Sequence, residues 1–259
     1  MARKKKHPFL AQLKEKSAVR ARKRAQREAR AASKAARRDA DLALLISKES
    51  MRAMRQAMLK NGWAQNSCID SARMLCDLAK RMNLDAMALT VEATAYNAAL
   101  WDWMRETDWA EDDSLRDDVV MDSQAPPGSR LVVLGKRDVP PMDENSWPGH
   151  LVVVLGVGGE WKWVVDLTLD QAQRKDHELP LEPLSFRVDQ DWLDGSRISQ
   201  IRRKAKLDRG TRDGEIAIEY RAFPHDESYM NSPAWKREYG ATISQIGNTL
   251  KFSMNRKPE

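Results

Sequence analysis

Apolar residues repeat at helical spacing in two stretches of the N-terminal half of the chain. From Leu42, the Leu and Met residues predict a helix that ends at Asn61-Gly62. From Ser67 to about Met82, apolar residues recur every three or four positions and predict a second helix. Residues 232–250 are predicted to form a closing helix.

Between the second helix and the closing helix, short apolar stretches separated by turn residues favour strands. The predicted strands cover residues 86–91, 130–134, 150–155, 161–167, 184–188 and 215–222. Gly156-Val-Gly-Gly-Glu160 lies between two of them and predicts a hairpin turn. Residues 101–121 are interpreted as helix then loop, and the basic residues of 202–212 as a loop. Helices followed by mainly antiparallel strands indicate an α+β fold.

Charge divides the chain into two parts. Residues 1–60 hold 19 Lys and Arg against 5 Asp and Glu, a balance of +14, and the remaining residues hold 25 against 33, a balance of −8. Residues 18–38 are almost entirely Ala and helix-favouring polar residues, with too few apolar side chains to face a core. Residues 1–40 are therefore predicted to be a basic arm that is helical or disordered.

The basic arm has the composition of a segment that neutralises phosphates, because clustered Lys and Arg release counterions from nucleic acid. Its one aromatic residue is Phe9, so binding through residues 3–38 is expected to be independent of base sequence. The alternatives are a solubilising tail or an extension that binds an acidic partner protein. The residues expected to contact a polyanion are Arg3, Lys4, Lys5, Lys6, Arg22, Lys23 and Arg24.

Composition excludes several classes of protein. With 259 residues, 42% of them hydrophobic, the chain can build a core and is not wholly disordered. No run approaches the roughly 18 apolar residues of a membrane-spanning helix, and no apolar segment follows the basic start, so we expect a cytoplasmic protein without membrane contact. His177 and His225 have no partners at metal-ligand spacing, and neither a metal site nor a cofactor is predicted.

The two cysteines fall on the second predicted helix. Cys68 and Cys76 lie about 12 Å apart along its axis, too far for a disulfide. Ser67 is a good N-cap and Asp70 completes a pattern similar to a capping box, which places Cys68 in the first turn. There the helix dipole favours the thiolate, the nucleophilic form. The alternative is a small buried core residue, which is our interpretation of Cys76.

His150 and Asp166 lie on the two strands of the predicted hairpin. Their numbers sum to 316, so a turn centred on Gly158 places them directly opposite each other, with Cβ atoms about 4.5 to 5.5 Å apart. A carboxylate at that distance can orient an imidazole by accepting its N–H. In this register Trp161 and Trp163 belong to the opposite, core-facing side. A one-residue slip would separate the pair, and an incidental His and Asp remain the alternative.

A thiol at a helix start followed by a paired His and Asp supplies a nucleophile, a general base and an orienting group. In this order they resemble the transglutaminase-like branch of the papain-like cysteine enzymes, over residues of about 62–168. The motifs that carry the resemblance are Asn66-Ser-Cys68-Ile-Asp-Ser-Ala72, Leu84-Asp-Ala86-Met-Ala-Leu-Thr-Val91, Gly149-His150-Leu-Val-Val-Val and Trp163-Val-Val-Asp166-Leu-Thr168. Residues 151–155 and Leu167 depart from the family, which has an aromatic residue and Glu after the histidine and commonly Pro after the aspartate.

The resemblance implies a papain-like, transglutaminase-like core over residues 41–259, with the cysteine helix packed on an antiparallel sheet. It also implies that the Cys68 thiolate attacks an amide or ester carbonyl, that His150 acts as base and then acid, and that Asp166 holds the imidazole tautomer. Two further sets of residues are predicted for this site, each with packing as the alternative role. They are the oxyanion donors Gln65, Asn66 and Trp63, of which Gln65 is preferred beside the Cys68 N–H, and the groove-lining Trp101, Trp103 and Trp109.

The predicted activity is that of a cysteine hydrolase, a peptidase or amidase, or of an acyltransferase. It would act on a protein or peptide amide through a thioester acyl-enzyme. The alternative is a non-enzymatic binding or scaffold protein with a degenerate papain-like fold, whose basic arm docks on nucleic acid or a partner protein. The two differ in geometry, since an enzyme needs the Cys68 sulfur near His150 with Asp166 behind it.

Overall fold

The computed structural model describes residues 8–60, 62, 67–107, 125–135, 147–173, 177–188, 190–207, 212–238, 240, 243–246 and 248. Within these ranges, the side chains of residues 8–19 and 205–213 are outside the description. The chain divides into two compact units, Met1–Asp41 and Leu42–Glu259. In the described ranges, no helix is both long enough and apolar enough to cross a membrane.

Six α-helices have both of their ends within the described ranges. They are α1 (Pro8–Leu45), α2 (Lys48–Lys60), α3 (Cys68–Arg81), α4 (Ala98–Glu106), α5 (Gln190–Leu193) and α6 (Pro233–Lys236). The helix predicted from Leu42 to residue 60 is two helices. Ser47 divides them because its Oγ accepts the Ser50 N–H at 3.2 Å and caps α2. The predicted closing helix is interrupted: α6 ends at Lys236 and Arg237 is extended, but residues 240, 243–246 and 248 are again helical.

The described part of the basic arm is helical. Residues 20–37 of α1 have exposed side chains, among them the predicted polyanion contacts Arg22, Lys23 and Arg24. Arg24 pairs with Glu28 one turn along the helix at 2.8 Å. The other predicted contacts, Arg3, Lys4, Lys5 and Lys6, lie outside the described residues.

The fold is α+β, and every strand pairing among the described residues is antiparallel. The strands run in the order β5-β4-β3-β1-β7-β6, and β2 pairs with β1. Their bounds are β1 Asp85–Tyr96, β2 Leu131–Leu134, β3 His150–Val157, β4 Glu160–Asp166, β5 Leu184–Arg187, β6 Ile198–Leu207 and β7 Arg212–Phe223. The loop predicted over 202–212 is wrong for residues 202–207, which belong to β6. Their consecutive charges give no apolar pattern from which a strand could be predicted. They lie on β6 at the end of the sheet, where polar side chains are common.

Helices α2 and α3 cover one face of the sheet. Met54 of α2 and Leu75 of α3 pack with Leu151, Val153 and Leu155 of β3 in a continuous buried cluster. The other face of the sheet forms a second cluster around Val152, Val154 and Val164 with aromatic residues of β5, α5 and β7. Strand β3 and residues 164–166 of β4 are therefore buried on both faces.

The sheet is strongly curved. The rings of Phe186 on β5 and Tyr220 on β7 have centroids 4.9 Å apart, although β4, β3 and β1 lie between these two strands. In a flat sheet four strand spacings would separate them by about 19 Å. The curvature brings side chains of distant strands together on the concave face.

Strands β2 and β3 lie end to end along the same edge of β1. Tyr96 pairs with Leu131 of β2, whereas Val91 pairs with His150 of β3. Gly135 fills the junction between them with φ +81°, and a Cβ there would lie 2.5 Å from the Val91 carbonyl oxygen and 2.7 Å from the His150 nitrogen. Only glycine fits this junction, because both the space and the left-handed backbone exclude a side chain.

We expect Gly135→Ala to lower the free energy of unfolding by about 3 kcal/mol, from left-handed strain and overpacking together. Gly128→Ala is the matched control, since Gly128 has φ +89° and nothing within 4 Å of an added Cβ. Strain alone predicts a loss of about 1 kcal/mol for the control. Urea denaturation of both variants measures the difference, and equal losses would contradict the close packing at Gly135.

Candidate active site

Cys68 is the first residue of α3. Ser67 occupies the N-cap position as predicted, but its side chain makes no capping hydrogen bond and instead lies 3.5 Å from Arg55 Nη1. The Cys68 thiol is within 3.9 Å of the Gly149 carbonyl oxygen, and its residue is 8% exposed. The start of α3 therefore meets the start of β3 at Cys68.

The hairpin of β3 and β4 has a different register from the predicted one. Val154 pairs with Val164, so paired numbers sum to 318 and His150 lies diagonal to Asp166 rather than opposite it. The two side chains still share a face, because a two-residue difference preserves the alternation of the strands. The turn contributes one residue of this difference, because Val157 pairs with Glu160 and the paired numbers there sum to 317. The bulge between Leu155 and Gly156 contributes the other.

The bulge also changes the face of one tryptophan. Trp161 pairs with Gly156 beyond the irregularity and packs against the Val152 side of the sheet. Trp163, before the bulge, packs on the α3 side as predicted. The predicted placement of Trp161 on the same face as Trp163 is therefore wrong.

Cys68, His150 and Asp166 meet at one site. The imidazole Nε2 of His150 lies 2.8 Å from Asp166 Oδ2. Cys68 lies close enough to His150 to raise the pKa of the imidazole, and its thiol faces the carbonyl oxygen of Gly149, the residue before His150. These three side chains are 8%, 1% and 0% exposed in chain order.

The Asp166 carboxylate has four hydrogen-bond partners. Besides His150, Oδ2 accepts the Tyr220 hydroxyl at 2.9 Å. Oδ1 accepts the Thr168 backbone N–H at 2.9 Å and lies 3.5 Å from the Thr168 hydroxyl. Sequence analysis missed Tyr220, because its place at the site depends on the pairing of β7 with β1 and on the curvature of the sheet. The Asp166-Leu-Thr168 motif was the available signal for Thr168.

The charges of the pair stabilise each other in the buried site. Burial alone would lower the pKa of His150. The Asp166 carboxylate and, to a smaller extent, the neighbouring Cys68 side chain outweigh this effect and raise the pKa to about 10. Burial alone would raise the pKa of Asp166, but His150, Thr168 and Tyr220 lower it below its usual value. At neutral pH His150 is therefore an imidazolium that can donate both ring N–H groups.

Cys76, two turns further along α3, has a contrasting environment. Burial raises the pKa of its thiol to about 12, with the nearby Asp77 adding to the effect. The side chain packs in the cluster between α3 and the sheet. A thiol held in its neutral form is a poor nucleophile, which agrees with its interpretation as a core residue.

A buried arginine links the start of α3 to the segment after β4. Arg55 on α2 is 4% exposed and pairs with Asp170 through Nε at 2.9 Å. Its Nη1 reaches Ser67, the residue before Cys68. Asp170 lies in a 3₁₀ turn, Leu169–Ala172, directly after Thr168. Arg55 thus connects the backbone on both sides of the candidate site, a role that its sequence context did not signal.

The Trp147 ring packs beside the Cys68 thiol. A Cβ at Gly149 would overlap the Trp147 ring, so the indole packs directly on the residue whose carbonyl faces Cys68. The indole N–H donates to Ser228 Oγ at 2.8 Å, and the ring makes an edge contact with Tyr229. Trp147 is therefore a fixed, half-buried aromatic surface next to the site.

Of the other oxyanion and groove residues predicted for the site, the structure describes Trp101 and Trp103, and neither belongs to the buried cluster that holds Cys68. Trp101 is fully buried with Tyr96 in a third cluster, so its ring cannot line a groove in this conformation, and its predicted place is corrected to a core position. Trp103 is half-buried against the same cluster. Gln65, Asn66, Trp63 and Trp109 lie outside the described residues.

Comparisons with known proteins add no family to this geometry. The chain matches no protein-family model, no curated protein and no solved structure. The resemblance of residues 62–168 to transglutaminase-like enzymes therefore stays a prediction. Among the described residues, no group of His, Cys, Asp and Glu is arranged to hold a metal ion.

We expect the His150 ring to remain protonated through pH 8, because its pKa is raised to about 10. Asp166→Asn removes the stabilising charge and should leave a neutral imidazole at pH 8. Tyr220→Phe is the control, since it keeps the carboxylate and should keep the ring protonated. Nitrogen-15 NMR of the histidine rings measures each state, and a neutral ring at pH 7 in the unsubstituted protein would contradict the pairing.

We expect Arg55→Met to lower the free energy of unfolding by about 2 to 3 kcal/mol, because it leaves the Asp170 carboxylate unpaired. Arg105→Met is the matched control, because Arg105 pairs with Glu215 on the exposed surface at 3.5 Å. An exposed pair contributes about 1 kcal/mol or less. Chemical denaturation compares the two, and similar small losses in both would show that Arg55 does not link these segments.

Proposed function

We propose that the chain is a cysteine hydrolase, a peptidase or amidase, that acts on a protein or peptide amide. The single observation that carries the proposal is the placement of Cys68 beside the hydrogen-bonded pair of His150 and Asp166. It supplies a sulfur nucleophile, a group that can move a proton, and a carboxylate that fixes the ring. The burial of the His–Asp pair strengthens each of these interactions relative to water.

The proposed reaction has two steps. In the first, the Cys68 sulfur, as thiolate, forms a bond to the amide carbonyl carbon, and the carbon–nitrogen bond breaks as His150 gives its proton to the leaving amine. In the second, His150 takes a proton from water while the hydroxyl oxygen bonds to the acyl carbon. The carbon–sulfur bond of the thioester then breaks, and thiolate and imidazolium are restored.

Two features of the site suit this reaction. The Cys68 backbone N–H belongs to the first turn of α3, where amides have no acceptor within the helix, so it is available to stabilise an oxyanion. The Asp166 carboxylate is held by Tyr220 and Thr168 as well as by His150, so the imidazole is fixed in one orientation. We take water as the acyl acceptor, because transfer to an amine requires a second substrate site.

The low exposure of the three side chains favours one other candidate function. In a binding or scaffold protein with a degenerate papain-like fold, a buried Cys–His–Asp chain would serve only to hold α3 against the sheet. The reactivity of Cys68 separates the two candidates, since a scaffold has no need of an accessible, activated sulfur.

We expect iodoacetamide at pH 7 to alkylate Cys68 faster than Cys76, whose pKa is about 12. His150→Ala should slow the alkylation of Cys68 by at least about tenfold, because it removes the partner that stabilises the thiolate. The exposed His225→Ala is the matched control and should leave the rate unchanged. Mass spectrometry of the digested protein reports both cysteines separately.

Cys68 alkylation no faster than that of Cys76, or insensitive to His150→Ala, would refute the enzymatic proposal and favour the scaffold. Alkylation in denaturant, where both thiols are exposed, provides the reference rates. Turnover itself is tested with Cys68→Ala, which should abolish hydrolysis of a peptide substrate while leaving the circular dichroism spectrum unchanged.

A further inference from the structure

A second concave site lies between α2 and β6. It is a cavity of about 730 Å³ lined by residues of α2, of the segment before β5, of β6 and of β7. This volume is in the range of small-molecule sites in proteins, about 300 to 1,000 Å³. The lining residues that carry its chemistry are Lys48, Arg52, Glu182, Arg202, Arg203 and Lys204.

The cavity has a large excess of positive charge. Five of its lining residues are cationic and Glu182 is the one carboxylate among them, which leaves a balance of +4. This excess stands out because residues 42–259, which contain the whole lining, hold 29 Lys and Arg against 34 Asp and Glu, a balance of −5. A concave surface with one sign of charge concentrates ligands of the opposite sign.

Three of the cations converge on Glu182 from opposite walls of the cavity. Arg52 Nε lies 3.0 Å from Oε2, while Lys48 Nζ and Arg203 Nη1 lie 4.0 Å and 3.8 Å from Oε1. These positive neighbours lower the pKa of the Glu182 carboxyl against the effect of its partial burial. One planar carboxylate, with two oxygens, is thus shared by three cations.

We propose that this cavity binds the phosphate groups of an anionic ligand beside Glu182. A phosphate offers three or four oxygens in a tetrahedral arrangement, so it can accept hydrogen bonds from more of the surrounding cations at once than the two oxygens of Glu182 can. Arginine forks match phosphate geometry, and Arg52 and Arg203 supply two of them from separate elements. The phosphate source is either a free polyphosphate or nucleotide, or the backbone of a nucleic-acid strand.

Substitution of Glu182 is expected to change the affinity for phosphate in the opposite direction to substitution of the arginines. The carboxylate competes with the phosphate for the same cations, so Glu182→Gln should strengthen binding several-fold, whereas Arg52→Gln or Arg203→Gln should weaken it about tenfold. A set of purely structural salt bridges predicts no such pair of opposite effects. Arg105→Gln removes an exposed arginine outside the cavity and serves as the control, with affinity within about twofold of the unsubstituted protein.

The test is isothermal titration calorimetry of the full chain with sodium tripolyphosphate, with ATP and with a 12-nucleotide single strand of DNA, each at fixed salt concentration. All variants retain the same basic arm, so differences between them report on the cavity. Dependence on Arg203 with tripolyphosphate and ATP assigns a free polyphosphate ligand, and dependence with DNA alone assigns a strand. Affinities that are equal in all variants for all three probes, or no strengthening in Glu182→Gln, would overturn the proposal.

Discussion

Asp166 has no exposed surface, and a carboxylate in such a position loses its hydration completely. The cost is several kcal/mol unless hydrogen bonds and a positive partner replace the water. His150, Tyr220 and Thr168 do so from three parts of the sheet: the start of β3, the middle of β7 and the residue pair after β4. The hydrogen bonds that compensate for the lost hydration of the carboxylate therefore also hold these strands in the curved arrangement. The concave face is organised around the ion pair of His150 and Asp166.

Helix α3, which begins at Cys68, depends on this arrangement through a short chain of contacts. Cys68 touches the sheet at Gly149 and His150, and Ser67 just before it is approached by Arg55. Arg55 in turn pairs with Asp170, which follows Asp166 by one short turn. Contacts through the sheet and through Arg55 thus connect the position of the Cys68 sulfur to the orientation of the Asp166 carboxylate. A change at one of these groups therefore affects the other.

Local patterns predicted much of the fold and the core of the candidate site. Helical spacing located α3, turn residues located the hairpin of β3 and β4, and strand alternation placed His150 and Asp166 on one face. The observed register differs from the predicted one by two residues, one from the turn and one from the bulge at Leu155, so His150 and Asp166 still share a face. Tyr220, Arg55 and Asp170 were not predictable, because each acts through a contact between segments far apart in sequence. β6 was missed because its charges give no alternating pattern of apolar residues.

The strand β6 ends the path of the sheet, and within the described residues no further strand pairs with its outer edge. An unpaired edge is a template on which a second molecule can add its own strand and begin to aggregate. Here that edge carries Arg202, Arg203 and Lys204 in succession. Two copies that approached each other edge to edge would bring these like charges together at the short spacing of neighbouring strands. The positive edge therefore opposes continuation of the sheet from one molecule into the next.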